Sequence, residues 1–78
     1  MYMTSWCKYC QLARAFLSTQ PNVIVTERNI EANKTYLSQM LARSGGRNAT
    51  PVLDVQGRII VGFNTAGLSR AIADARRR

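Results

Sequence analysis

Seventy-eight residues carry eleven Lys plus Arg against four Asp plus Glu, so the chain reads as one small, strongly basic domain over residues 1–78. The net charge of +7 favours acidic or phosphate-bearing partners, while 46% apolar and 19% charged residues exclude a disordered chain. The lack of histidine excludes imidazole acid–base catalysis and imidazole metal ligands, and no apolar run approaches the roughly 18 residues of a membrane span. Met1 to Cys7 lack the basic and apolar regions of a secretory signal, which makes the reducing cytoplasm the expected compartment.

Met1 to Thr4 is apolar and β-favouring and predicts a first strand. Ser5 is a capping residue ahead of Trp6 and Cys7, and Leu12, Ala13, Phe16 and Leu17 recur at helical steps, predicting a helix from about Lys8 to Thr19. Pro21 and Asn22 end it. The β-branched run Val23-Ile24-Val25-Thr26, continued loosely to Ile30, predicts an internal or nearly internal second strand. A second helix follows from Ala32 to Arg43, with Leu37, Met40 and Leu41 as its buried stripe and Tyr36 beside it, and Ser44-Gly45-Gly46 stops it.

Arg47 to Thr50 forms a loop into a strand at Pro51-Val52-Leu53-Asp54-Val55. Gln56-Gly57 sits at hairpin spacing, and Ile59-Ile60-Val61 returns antiparallel. Gly62-Phe63-Asn64 leads into a last helix at about Thr65, whose apolar side carries Leu68, Ala71, Ile72 and Ala75. The order βαβαββα predicts an α/β fold: a four-stranded mixed sheet covered by three helices.

Trp6-Cys7-Lys8-Tyr9-Cys10 is the strongest local signal. Cys7 falls where a helix begins and free N–H groups favour a thiolate, Lys8 adds positive charge, and Cys10 lies one turn along with its sulfur within reach of the first. The pair suits thiol–disulfide exchange. Cys7 attacks a disulfide, and Cys10 then displaces the reduced product from Cys7. A lowered Cys7 pKa is expected. Cysteines at this spacing also occur in metal sites, so two other readings stay open: a zinc or iron–sulfur centre completed by a second copy or added thiols, and a pair of inert core cysteines.

On Thr4-Ser5-Trp6-Cys7-Lys8-Tyr9-Cys10, Gly45-Gly46-Arg47-Asn48-Ala49-Thr50-Pro51 and Ile59-Ile60-Val61-Gly62-Phe63, the chain strongly resembles the glutaredoxin family, mycoredoxin branch included, over nearly its whole length. The resemblance implies a thioredoxin-like fold, Cys7 as nucleophile, Cys10 as resolving thiol, a cis bond before Pro51, and Thr50 backbone atoms binding glutathione or a substrate peptide. It implies no tightly bound cofactor; glutathione or another low-molecular-weight thiol, or a flavin-dependent reductase, returns the dithiol. Partners are disulfide-containing proteins, met by a monomer. A reductase-dependent electron donor to ribonucleotide reductase is a narrower alternative.

The chain departs from the family pattern at several points. Lys8-Tyr9 stands where many relatives have Pro, and Thr4 stands where a basic residue is common, so Arg47 becomes the candidate contact to a glutathione carboxylate. Gly62, Asn64 and Thr65 replace a Gly-Gly stretch followed by Asp, leaving amide and hydroxyl groups to bind the ligand. Trp6 and Tyr9 are candidate substrate contacts. Arg14, Arg28, Arg58 and Arg70 are expected on solvated faces. Nucleic-acid binding is the non-enzymatic rival that the charge allows, but the aromatic residues do not interleave with a basic stripe. Because Met1 lies six residues before Cys7, the first strand is expected to be short and to lean on an unusual edge contact.

Overall fold

A computed structural model describes residues 1–77. The chain runs β1 (Tyr2–Met3), α1 (Lys8–Ser18), β2 (Arg28–Asn29), α2 (Lys34–Ser44), β3 (Val52–Val55), β4 (Arg58–Val61) and α3 (Thr65–Arg76). The strands form one sheet in the order β2-β1-β3-β4. β1 and β2 are parallel, and the β1–β3 and β3–β4 pairs are antiparallel. This is the thioredoxin-like α/β arrangement that the element order predicts.

Alternation along β3 divides the core between the two faces of the sheet. Leu53 packs with Leu17 of α1 and Leu68 and Ile72 of α3, whereas its neighbour Val52 packs with Tyr2 and Met40 of α2. β3 is apolar over successive positions because helices cover both faces. The turn at Gln56 and Gly57 has positive φ at both residues, 50° and 95°, the conformation that matches the twist of a two-residue hairpin. The Asp54 side chain braces it by accepting from the Gly57 amide at 2.7 Å. α2 ends at Gly45, which takes φ 73°, and Asn33 and Asn64 cap the starts of α2 and α3.

Four expectations need correction. Of the predicted second strand only the loose continuation is paired: Val23–Thr26 form no strand, and β2 lies at Arg28–Asn29, on the edge of the sheet rather than inside it. A strand needs a partner, and β1 supplies one only here: the Met1 carbonyl accepts from the Arg28 amide at 2.8 Å and the Met3 carbonyl from Ile30 at 3.0 Å. The Met1 ammonium donates to the Thr26 carbonyl at 2.7 Å, an edge contact at the start of β1. Val23 and Val25 instead line an open groove of about 330 Å³ with Leu17, Leu53, Val55 and Ile72, and Ile24 is 95% exposed.

Second, Leu12 is exposed, because the face of α1 that meets the sheet is centred on Cys10, Ala13 and Leu17. Third, Arg28 is half-buried rather than on an open solvated face. Its guanidinium lies 5.9 Å from the Tyr2 ring centre and 5.6 Å from that of Tyr36, and it donates to Gln39 Oε1 at 2.6 Å. Fourth, Cys7 rather than Ser5 is the N-cap of α1.

Candidate active site

Cys7 is extended, with φ −79° and ψ 115°, and the next residue is helical. Its sulfur therefore stands where a Ser or Asn oxygen caps other helices, and it accepts from the Cys10 amide at 3.1 Å. Across the sheet, the loop that follows α2 brings Thr50 to the same atom: the Thr50 hydroxyl donates to Cys7 Sγ at 3.4 Å. The Thr50–Pro51 peptide is cis, and the Pro51 carbonyl accepts from the Gly62 amide at 2.7 Å. The start of α1 and the residue that leads into β3 thus meet at one sulfur, and Gly62 is held against Pro51 beside them.

The two cysteines differ sharply. Cys10 is 1% exposed and Cys7 half-buried, and both thiols are free. At Cys7, burial opposes ionisation, but hydrogen bonds from the Cys10 side chain, the Thr50 hydroxyl and the Cys10 and Tyr9 amides outweigh it and hold the thiol below its ordinary range. Hydrogen bonds, rather than the charge of Lys8, lead the contributions that favour the thiolate. At Cys10, burial comes first, the hydrogen bond to Cys7 second, and the pKa is pushed up to about 11. One sulfur is built to carry negative charge and the other to keep its proton.

A polar network braces the turn before Cys7. Asn29 at the end of β2 donates to Ser5 Oγ at 2.9 Å and accepts from the Glu31 amide at 2.9 Å, while the Glu31 carboxylate accepts from the Ser5 amide at 3.4 Å. Asn29, Glu31 and the Thr50 hydroxyl escape sequence reasoning. Nothing local links residues 24, 26 or 43 positions apart, and Thr50 signals only its backbone.

Of the remaining residues proposed from sequence, Gly62 meets Pro51 directly, and Asn64 caps α3 by accepting from the Gly67 amide at 3.0 Å. Trp6, Lys8, Tyr9, Arg47 and Thr65 are exposed. Trp6 lies in the turn before Cys7, Lys8 and Tyr9 open α1, Arg47 lies on the loop that ends at Thr50, and Thr65 opens α3. Trp6 is 75% exposed and does not anchor the core.

Two results are expected from this geometry. Iodoacetamide at neutral pH modifies Cys7 and leaves Cys10 unmodified, since Cys10 is both protonated and covered; peptide mapping of the native protein reads this directly, and equal labelling would contradict it. Thr50→Val removes one donor from the Cys7 sulfur at nearly constant volume. Losing about 0.5–1.5 kcal/mol of thiolate stabilisation slows alkylation of Cys7 at neutral pH about 2- to 13-fold and moves its pH profile upward. An unchanged profile removes Thr50 from the set of stabilising groups.

An α/β sheet that places a half-buried thiol at a helix start, backed by a buried thiol one turn on, defines the class of dithiol proteins with a thioredoxin-like fold. The glutaredoxin family model matches residues 1–60, and the chain belongs to that family, whose function is of the thiol–disulfide oxidoreductase kind. It is also similar to an uncharacterised glutaredoxin-like 8.6 kDa protein encoded in a rubredoxin operon of Clostridium pasteurianum, with 28% identity over 72 residues that cover 92% of this chain and 93% of the relative. No solved structure matches the chain significantly. Among the described residues no helix is long and apolar enough to cross a membrane.

Proposed function

We propose that this chain reduces protein disulfides, or mixed disulfides with low-molecular-weight thiols, through Cys7 and Cys10. The observation that carries the proposal is the inequality of the two sulfurs, one half-exposed with three kinds of donor around it, the other buried and protonated. The Cys7 thiolate attacks a substrate sulfur, forming a mixed disulfide and expelling the other sulfur, which takes up a proton. Cys10 then gives up its proton and attacks Cys7, so the second substrate thiol leaves and an internal disulfide remains. Two electrons and two protons pass to the substrate. The dithiol returns with electrons from glutathione, another low-molecular-weight thiol, or a flavin-dependent reductase; donation to ribonucleotide reductase is one specific use. The protein acts as a cytoplasmic monomer without a tightly bound cofactor, and Trp6, Lys8, Tyr9, Arg47, Thr50, Pro51, Gly62, Asn64 and Thr65 frame the substrate.

A coupled assay that follows NADPH oxidation tests the proposal. Disulfide reduction is expected when the chain is supplied either with glutathione and glutathione reductase or with thioredoxin reductase, and the preferred system identifies the donor. Failure of the pre-reduced chain to reduce any disulfide, even stoichiometrically, rejects the proposal.

A further inference from the structure

The second displacement leaves one proton to be placed. Cys10 loses it on attacking Cys7, yet Cys10 is 1% exposed, so bulk water does not reach the thiol to collect it. The chain has no histidine, and no carboxylate is among the leading influences on either sulfur. Glu27, Asp54 and Asp74 are held by Arg14, Arg43 and Arg58, and Glu31 takes the Ser5 amide. The usual bases are occupied elsewhere.

What meets both sulfurs is the Thr50 hydroxyl. It lies 3.4 Å from Cys7 Sγ, and it also forms a hydrogen bond that favours the ionised form of Cys10. Thr50 is half-buried, and the next residue on its loop is anchored, the Pro51 carbonyl accepting from the Gly62 amide at 2.7 Å. The Cys10 amide, 3.1 Å from Cys7 Sγ, donates but passes no proton on, whereas a hydroxyl donates and accepts at once. Position matters as much. A thiolate attacks a disulfide along the line of the bond that breaks, so attacker and leaving sulfur stand on opposite sides of Cys7 Sγ and share no proton directly. A hydroxyl in contact with Cys7 and Cys10 is placed to bridge them.

We propose that the Thr50 hydroxyl is a catalytic proton relay in the resolving step. The inference rests on the thiol-exchange function above and assigns the proton of its second half. The Cys10 proton passes to Thr50 Oγ1 while the Thr50 proton passes to the departing substrate sulfur. The Cys10–Cys7 bond forms with an electron pair from Cys10, the bond from Cys7 to the substrate breaks, and the substrate leaves as a neutral thiol with that bond's electron pair. Thr50 ends as it began, and no outside acid, base or oxidant takes part.

The test follows the pre-reduced, full chain with a disulfide-bonded peptide in single turnover. Acid quenching and mass spectrometry count the adduct on Cys7 and the internal disulfide separately. Thr50→Val slows conversion of adduct to internal disulfide about a hundredfold, well beyond its effect on Cys7 alkylation, so the adduct accumulates; Thr50→Ser, which keeps the hydroxyl, stays within about threefold of wild type. The wild-type conversion rate is level from about pH 6 to about pH 8, because the proton stays within the protein and substrate, whereas removal by solvent makes it rise about tenfold per pH unit. Lys8 and Arg14 on α1, Glu31 beyond β2 and Arg47 on the loop to Thr50 are the charged side chains of the segments around the two sulfurs, and every variant keeps them.

Thr50→Val that slows alkylation but resolves the adduct at the wild-type rate leaves the hydroxyl a donor to Cys7 alone and overturns the relay. Equal slowing by Val and Ser overturns it too. A wild-type rate that climbs with pH overturns it without any variant, so the proposal stays exposed even where Thr50→Val does not fold. In each of these cases the disulfide is still reduced and the thiol chemistry stands; neither adduct nor reduction in the wild-type chain overturns both.

Discussion

Cys7→Ser is expected to lower disulfide reduction by at least about a thousandfold, because a serine hydroxyl does not ionise at neutral pH and no other described thiol reaches the surface. Cys10→Ser has a different outcome. Cys7 still attacks, but nothing within the chain resolves the adduct, so a covalent complex with a protein substrate accumulates and appears as one combined mass without reductant. Reduction of mixed disulfides with small thiols persists in Cys10→Ser, since a second small thiol can resolve the adduct from solution. Full turnover by Cys7→Ser, or an adduct trapped on residue 10 in place of residue 7, would reverse the order of attack. The expectation follows from position: Cys7 caps the helix and meets solvent, while Cys10 lies one turn deeper in the face that packs on the sheet.

Met40→Ala is expected to cost about 2–5 kcal/mol, against a total of roughly 4–12 kcal/mol for a domain of this size. Met40 is fully buried between α2 and the sheet, where it meets Tyr2 and Val52. β1 has only two residues in register with its neighbours, so side-chain packing on Tyr2 does much of what a longer ladder would do. A fall of about 2 M or more in the urea midpoint checks the prediction, with m near 1 kcal/mol/M for so short a chain. Ile24→Ala provides the contrast. With 95% of Ile24 exposed, its truncation moves stability by no more than about 0.5 kcal/mol. Similar losses at the two positions would mean that the apolar run 23–25 is covered in solution.

These expectations draw on features of unequal visibility in the sequence. The three helices were legible because apolar spacing and stop signals act within one or two turns; Gly45 ends α2 in the left-handed conformation that its lack of a Cβ permits. The hairpin was legible for the same reason, with Gln56-Gly57 supplying both positive φ angles. The second strand was misplaced because β-branched residues favour extended backbone wherever they lie, whereas a strand exists only where a neighbour accepts its hydrogen bonds. Val23 to Val25 have the propensity, and Arg28 and Asn29 have the neighbour.

The sequence by itself determined the α/β class, the order of elements, and the placing of two cysteines three apart at the entrance to a helix. Those properties are local: they follow from side-chain period, turn chemistry and the geometry of one helical turn. The tertiary structure decided that Cys7 is the cap, that Thr50, 43 residues away, donates to its sulfur, that Cys10 is sealed into the core, and that Glu31, 26 residues on, accepts from the Ser5 amide in the turn before Cys7. Each depends on groups brought together from distant parts of the chain, and a thiol's ionisation is set by what surrounds it in space rather than by what adjoins it in sequence.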